Sequence, residues 1–403
     1  MELALCGMSA LRALRQLRAS GLSFATLQRI ALPEPVPSPN GRWSQKSIRE
    51  HLAQQGLELP FSRSAPLNVA VPHERLRLRV KGTKSTIFAK GLPEASFVRA
   101  GNVLLSSPEL LFLEMGRFMA PEVQLLFGME LCGSFTRDAA NPRNAQATFF
   151  VPAATSTQRI RSFLDSCHGV EGIKQAREVL AYVVDNAWSP MEAVVAALAT
   201  LPLEMLGYGL APITLNERVE TKGAGEKETR VPDLLVQGTS AGLNYDGVGH
   251  QDLKGVVDAA LNLATHPGEE SSAKELEGAL AAARIGVLGD KRRDRDLSAR
   301  GYTVLPVTKE DLYELGGLDR VMRQLIAIVE REGNRDLSRQ RTALESRVIA
   351  SLRQHFIWSL LPGNGAKEAR EKLDRWLAPN EHQTLVTGEL RDGALSQIEV
   401  RVL

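Results

Sequence analysis

The sequence predicts a mixed α/β (α+β) protein: a small mixed sheet flanked by helices in the C-terminal half, preceded by a mixed N-terminal region and followed by a helical tail. Three observations predict it. Residues 67–105 alternate polar and apolar in LNVAVPHERLRLRV and NVLLS, the two-residue period of strands. Residues 106–118, SSPELLFLEMGRF, change to a helical period. From Ser189 onward, helical and strand-like segments take turns, as in an α/β unit. The chain has 403 residues, more than one ordinary core, since domains of about 100–200 residues are typical. The expected regions are an α+β region over 1–105, a helical link over 106–186, the α/β unit over 187–333 and a helical extension over 334–403.

In chain order, residues 1–30 read as helical. MELALCGMSALRALRQLRASG places Arg12, Arg15 and Arg18 at helical spacing, an amphipathic helix rather than a signal peptide. The prolines of PEPVPSPNG, 33–41, mark a connector. Ser107 is the expected N-cap of the next helix and Pro108 its first residue. Helix then continues to about 186, with loops near 136–147 and around Gly169. The α/β unit starts with a helix in SPMEAVVAAL, turns at GYG, and has strands in VPDLLVQ and AGLNYDG. An insertion over about 251–289 follows, helical in pattern with a polar break at HPGEESS. A basic helix DKRRDRDLSARG, a strand YTVLPVT and a helix over 309–332 complete the unit. The remainder predicts helices over 338–359 and 365–377 and a weakly patterned tail.

Composition narrows the function classes. Hydrophobic residues make up 43% and charged residues 24%, as in a soluble globular protein, and 5% aromatics argue against an aromatic-rich platform for single strands. A net charge of +2 exerts no bulk pull on nucleic acid, so any such binding needs a local patch. Cys6, Cys132 and Cys167 are odd in number and lack a CxxC pairing, which reads as reduced thiols without a zinc site. The most apolar run, 193–206, is interrupted by Pro202 and Glu204 and falls short of the about 18 residues of a membrane span. A cytoplasmic protein without a membrane partner is expected. No phosphate-binding glycine loop joins a strand to a helix, and no G-x-S-x-G elbow occurs.

The chemistry is concentrated at residues 231–250, VPDLLVQGTSAGLNYDGVGH. A hairpin with its tip centred on Thr239 and Ser240 puts Asp233 directly opposite Asp246. Cross-strand Cβ atoms lie about 4.5–5.5 Å apart, and like charges so placed are destabilising unless offset. A divalent cation offsets them, and Mg²⁺ takes one or two carboxylates together with waters and phosphate oxygens. Asp233 and Asp246 also suit turn capping, Asp-Gly for backbone reasons. His250 is a proton carrier, a phosphate donor or a solvated loop histidine. Asn244 shares the face of Asp246 and offers an oxygen without charge. Glu192 closes a capping box with Ser189, or orients water or metal. Arg293 contacts phosphate or belongs to a solvated helix face. Arg75, Arg77 and Arg79, on a strand, share one face: a stripe that follows a DNA backbone, or a charged sheet edge.

Pro232-Asp233, Asn244-Tyr245-Asp246-Gly247, His250, Asp290-x-x-Arg293-x-x-x-Leu297 and the strand GYTVLPVT, preceded by Ser189-Pro190-x-Glu192, resemble the endonuclease-like domain related to very-short-patch-repair enzymes. That family has the PD-(D/E)xK, restriction-endonuclease-like fold, and the resemblance covers Ser189 to about Glu332. It implies a Mg²⁺- or Mn²⁺-dependent deoxyribonuclease in which Asp233 and Asp246 hold the metal, His250 transfers protons, Glu192 orients water or metal, and Arg293 binds DNA. Asn244 stands where the family usually carries an acid, although the very-short-patch-repair relatives also manage without an acid at that place. The alternative is therefore a catalytically inactive nuclease-fold protein, acting as an antitoxin-like transcriptional regulator or DNA-binding module; a protein-interaction scaffold is a third reading. SALRALRQLR, 9–18, and SSPELLFLEMG, 106–116, are similar to the front of chains that join this module to abortive-infection antitoxin-type regulators. This implies that 1–185 binds DNA or another partner.

Overall fold

The computed structural model describes residues 3–32, 43–88, 92–222, 227–246, 253–266, 269–378, 384–391 and 394–402. Six short strands form the first sheet: β1 (Leu3–Leu5), β2 (Arg29–Ile30), β3 (Leu67–Val71), β4 (Thr83–Ile87), β5 (Phe97–Ala100) and β6 (Val103–Ser106). Their order is β2-β5-β6-β1-β3-β4, with β1 parallel to β6 and antiparallel to β3. The expectation of helix from residue 1 fails at this point. Leu3, Ala4 and Leu5 are all buried, so a three-residue strand covered on both faces carries no period that sequence could reveal.

Gly7, at φ 53, turns the chain into α1 (Gly7–Ala19). The arginines of this helix do not make a simple polar face. Arg15 donates to both carboxylate oxygens of Glu130 at 2.9 and 2.7 Å. Arg18, fully buried, donates to the carbonyls of Glu130, Gly133 and Pro152. The cations thus bind α1 to the helical link that follows, α2 (Gln45–Ala53) excepted. That link comprises α3 (Pro108–Met115), α4 (Pro121–Leu131), the ribbon β7 (Phe135–Thr136) with β8 (Thr148–Phe149), α5 (Thr157–Ser166) and α6 (Ile173–Leu180). Ser107 caps α3 as expected, its hydroxyl accepting the Leu110 N–H at 3.2 Å. Every residue of α3 is buried, so it is a core helix.

Arg75, Arg77 and Arg79 are not on a strand. Arg75 sits in a 3₁₀ turn over Glu74–Leu76, and the other two lie in the irregular crossover between parallel β3 and β4. All three side chains are exposed while Leu78 and Val80 pack on the core, so the alternation is real although no ladder forms. Arg77 is paired with Glu74 at 2.8 Å.

The second sheet is built from β9 (Ile213–Leu215), β12 (Leu234–Val236), β13 (Ala241–Asp246) and β14 (Thr303–Thr308) in the order β14-β13-β12-β9, with the ribbon β10 (Val219–Lys222) and β11 (Lys227–Arg230) between β9 and β12 in sequence. β9, β12 and β13 form an antiparallel meander; β14 then runs parallel to β13, which requires a crossover. The crossover is α8 (Leu253–Thr265) and the long α9 (Glu270–Ser298). The polar break at HPGEESS separates these helices as expected, but the basic helix at 290–299 is the end of α9 rather than a separate element. α7 (Pro190–Thr200) packs against β9 and β13, and α11 (Gly317–Gly333) against β13 and β14.

Two expected helices are divided. The one over 309–332 breaks into α10 (Lys309–Tyr313) and α11 because Gly316 takes φ 70. The one over 338–359 breaks into α12 (Ser338–Glu345) and α13 (Arg347–Leu360) because Ser346 is extended and its hydroxyl caps the Ile349 N–H. α14 (Gly365–Leu377) follows, and the tail holds a hairpin of β15 (Thr384–Arg391) and β16 (Ala394–Val402). One buried apolar cluster extends from Leu3 to Leu373, so all four expected regions share it. Across it, Asp319 accepts from Arg353 at 2.7 Å and from the Tyr208 hydroxyl at 2.6 Å. The three cysteines are buried and free, and no helix among the described residues is long and apolar enough to cross a membrane.

Candidate functional site

The β12–β13 hairpin turns earlier than its polar residues suggest. Gly238 takes φ 79 and the Thr239 N–H donates to Val236 O at 3.2 Å, so the chain reverses around Gly238. Leu234 then pairs with Leu243 and Leu235 with Gly242. This register puts Asp233 opposite Asn244, which corrects the expected Asp233–Asp246 pairing. Moving the centre of a hairpin by one residue moves each partner by two, and two residues preserve the face. Asp233, Asn244 and Asp246 therefore still share one side of the sheet.

The side chains interlock there. The Asp233 N–H donates to Asn244 Oδ1 at 3.0 Å, and Asp233 Oδ2 accepts the Tyr245 N–H at 2.6 Å. Asn244 is 3% exposed, so its oxygen is committed to the backbone of Asp233. Asp246 is half-buried, with its Oδ1 3.8 Å from Nη2 of Arg293. Glu192 arrives from the first turn of α7. Ser189 Oγ accepts the Glu192 N–H at 3.1 Å, as the capping reading required, but the Glu192 carboxylate reaches Trp188 N at 2.9 Å instead of closing on Ser189.

Asp233 senses the charges around it. Burial pushes the Asp233 carboxyl up to about 7, and the charges of Glu192 and Asp246 add to the rise, against the Tyr245 N–H and the Arg293 charge, which lower it. Four of the anticipated residues, Glu192, Asp233, Asp246 and Arg293, thus form one electrostatic unit. His250 lies outside the described residues. Arg75, Arg77 and Arg79 belong to the crossover of the other sheet. Among the described residues, no group of three or more His, Cys, Asp or Glu side chains is placed to hold a metal ion.

Sequence reasoning missed Asn216, at the end of β9. Its amide nitrogen donates to Glu192 Oε2 at 2.9 Å and to Asn186 O at 2.8 Å, while its N–H donates to Asp233 O at 3.1 Å. One residue thereby fixes both acids. Asn216 takes φ 51 and Asn186 φ 73, a conformation asparagine tolerates, and the only sequence signal was an asparagine closing a short apolar segment. A cavity of about 550 Å³ abuts Glu192, walled by the 137–149 loop, the start of α7, Tyr245 and the end of α13. It too had no local signature. No protein-family model, curated protein or solved structure matches the chain.

Proposed function

We propose that the C-terminal half is a nuclease module that hydrolyses phosphodiester bonds in DNA with the help of Mg²⁺ or Mn²⁺. One observation carries this reading: a half-buried Asp233 whose carboxyl is held near 7 by burial and by two neighbouring acids, an arrangement that a cation relieves and that is typical of reactive sites. Asp233 and Asp246 offer two carboxylates on one face, a donor set Mg²⁺ completes with waters and phosphate oxygens. An ion held by Asp233 and Asp246 would polarise the phosphodiester and neutralise developing charge. Glu192, held by Asn216 and the Trp188 N–H, orients the attacking water. Arg293, beside Asp246, contacts a strand phosphate. Proton delivery to the leaving oxygen is assigned to His250 on the family resemblance alone. The mixed meander-and-crossover sheet flanked by helices is consistent with that resemblance.

A second reading has its own observation. Asn244 replaces an acid and spends its oxygen on Asp233 N–H, while Arg293 already balances Asp246, which suits a nuclease fold retained as a non-catalytic, antitoxin-like DNA-binding regulator. Supercoiled plasmid incubated with the full chain in Mg²⁺ or Mn²⁺ separates the two. Nicking that Asp233→Asn and Asp246→Asn both abolish is the expected result. Salt-sensitive binding without nicking transfers the conclusion to the regulator.

A further inference from the structure

The cavity beside Glu192 is lined by segments far apart in sequence, and one phenylalanine, Phe149, stands in its wall with a second next to it in the chain. Phe149 lines it and is 40% exposed; the next residue, Phe150, is 94% exposed and takes φ 59. A bulky residue at positive φ is strained, and a fully exposed ring regains nothing by packing. The fold therefore has no use for this ring. The chain is poor in aromatics, so the pair is a local device rather than part of a long stacking track.

We infer that this cavity is the binding site for a single unpaired nucleobase, with Phe149 in its wall as the stacking surface and the exposed Phe150 adjoining it in the chain. The inference rests on the proposed action at nucleic acid phosphodiesters. At about 550 Å³ the cavity is the size of a small-ligand pocket, which suits one base splayed out of its strand. The wall chemistry suits a base. Tyr245 and Pro190 add flat apolar surface, and Gln146 brings an amide that both donates and accepts, as a base edge requires. Arg143, anchored through Nη2 to Ser359 O at 2.8 Å, adds positive charge for the flanking phosphate. Glu192 is one of the lining residues, so a base seated here lies beside a carboxylate of the candidate site.

The test is fluorescence anisotropy with the full chain in EDTA, using labelled eight-nucleotide oligothymidylate, oligouridylate and a DNA duplex of equal length. The unpaired oligomers are expected to bind more tightly than the duplex. The Phe149→Ala/Phe150→Ala double variant, altered only at exposed rings, is expected to lose roughly tenfold in affinity for them with duplex binding and thermal midpoint unchanged. The two oligomers distinguish DNA from RNA as the source of the base. Absence of oligomer binding, equal affinities of parent and variant, or an equal loss on duplex overturns the inference. Since the titration excludes metal, it is independent of cleavage. Aromatic-dependent binding with no plasmid nicking defeats only the nuclease reading; nicking with unaltered oligomer binding by the variant defeats only the base pocket.

Discussion

Asp233 faces Asn244 across the β12–β13 hairpin, its N–H donating to Asn244 Oδ1 at 3.0 Å, while its own carboxylate takes the next N–H along the strand, that of Tyr245. The amide of Asn244 neutralises no charge. Asp233 is left with Glu192 and Asp246 as anionic neighbours, and the charge of Arg293 opposes them.

The raised Asp233 carboxyl makes stability fall with rising pH. Between its unfolded value of about 4 and its folded value of about 7, the native state holds the proton more often than the unfolded chain does. Unfolding free energy thus decreases across that window and levels off above it. Asp233→Asn keeps the acceptor for Tyr245 N–H and removes the charge. Its thermal midpoint should match the parent near pH 4 and exceed it by a growing margin up to pH 7 to 8. A constant difference at all pH values would show that folding does not shift the Asp233 carboxyl.

A cation at this site would act in the opposite direction at high pH. Mg²⁺ at millimolar concentration should raise the parent's melting midpoint at pH 8, where Asp233 is ionised, and have much less effect at pH 5. Asp233→Asn and Asp246→Asn should both lose the shift. Differential scanning fluorimetry with and without EDTA is sufficient, and a shift kept in both variants assigns the ion elsewhere.

The Arg15–Glu130 pair predicts a separate acid limb. Burial alone would raise the Glu130 carboxyl, but the charge and hydrogen bonds of Arg15, joined by the charge and N–H of Arg137, outweigh it and bring it to about 2. The stability gained is present above the unfolded carboxylate value of about 4.3 and is lost as pH falls from there toward 2. Arg15→Met removes the bidentate partner of a buried carboxylate and leaves it the Thr136 hydroxyl, the Arg137 N–H and the Arg137 charge, so the cost in urea denaturation is expected at or below the about 3–5 kcal/mol of a fully broken buried pair. Arg15→Met/Glu130→Gln should recover a large part of that loss; a double variant as unstable as the single one would mean that shape, not charge, governs the site.

Gly238 sets the register of the site hairpin. A Cβ there meets nothing within 4 Å, so substitution costs backbone conformation alone. Gly238→Ala should destabilise by about 1–2 kcal/mol in chemical denaturation, and Gly238→Asn by less, because asparagine tolerates positive φ. A neutral Gly238→Ala result would move the turn elsewhere.

Local signals in the sequence determined much of this protein. Ser107 and Ser189 announced helix starts because a hydroxyl caps N–H groups only three residues away, and HPGEESS announced the break between α8 and α9 for equally local reasons. Asp233, Asn244 and Asp246 could be placed on one face because strand side chains alternate regardless of register. Tertiary structure decided the rest. It set the hairpin register through the left-handed Gly238, buried Arg15 and Arg18 against α4, made a central strand of Leu3–Leu5, and divided two helices at Gly316 and Ser346. It also placed Asn216 between Glu192 and Asp233 and closed a cavity from residues 137–149, 189–194, 245 and 360–362. The reason is physical: a cap or a period is an interaction among near neighbours in the chain, whereas a buried ion pair or a cavity wall exists only once distant segments have met and excluded water between them.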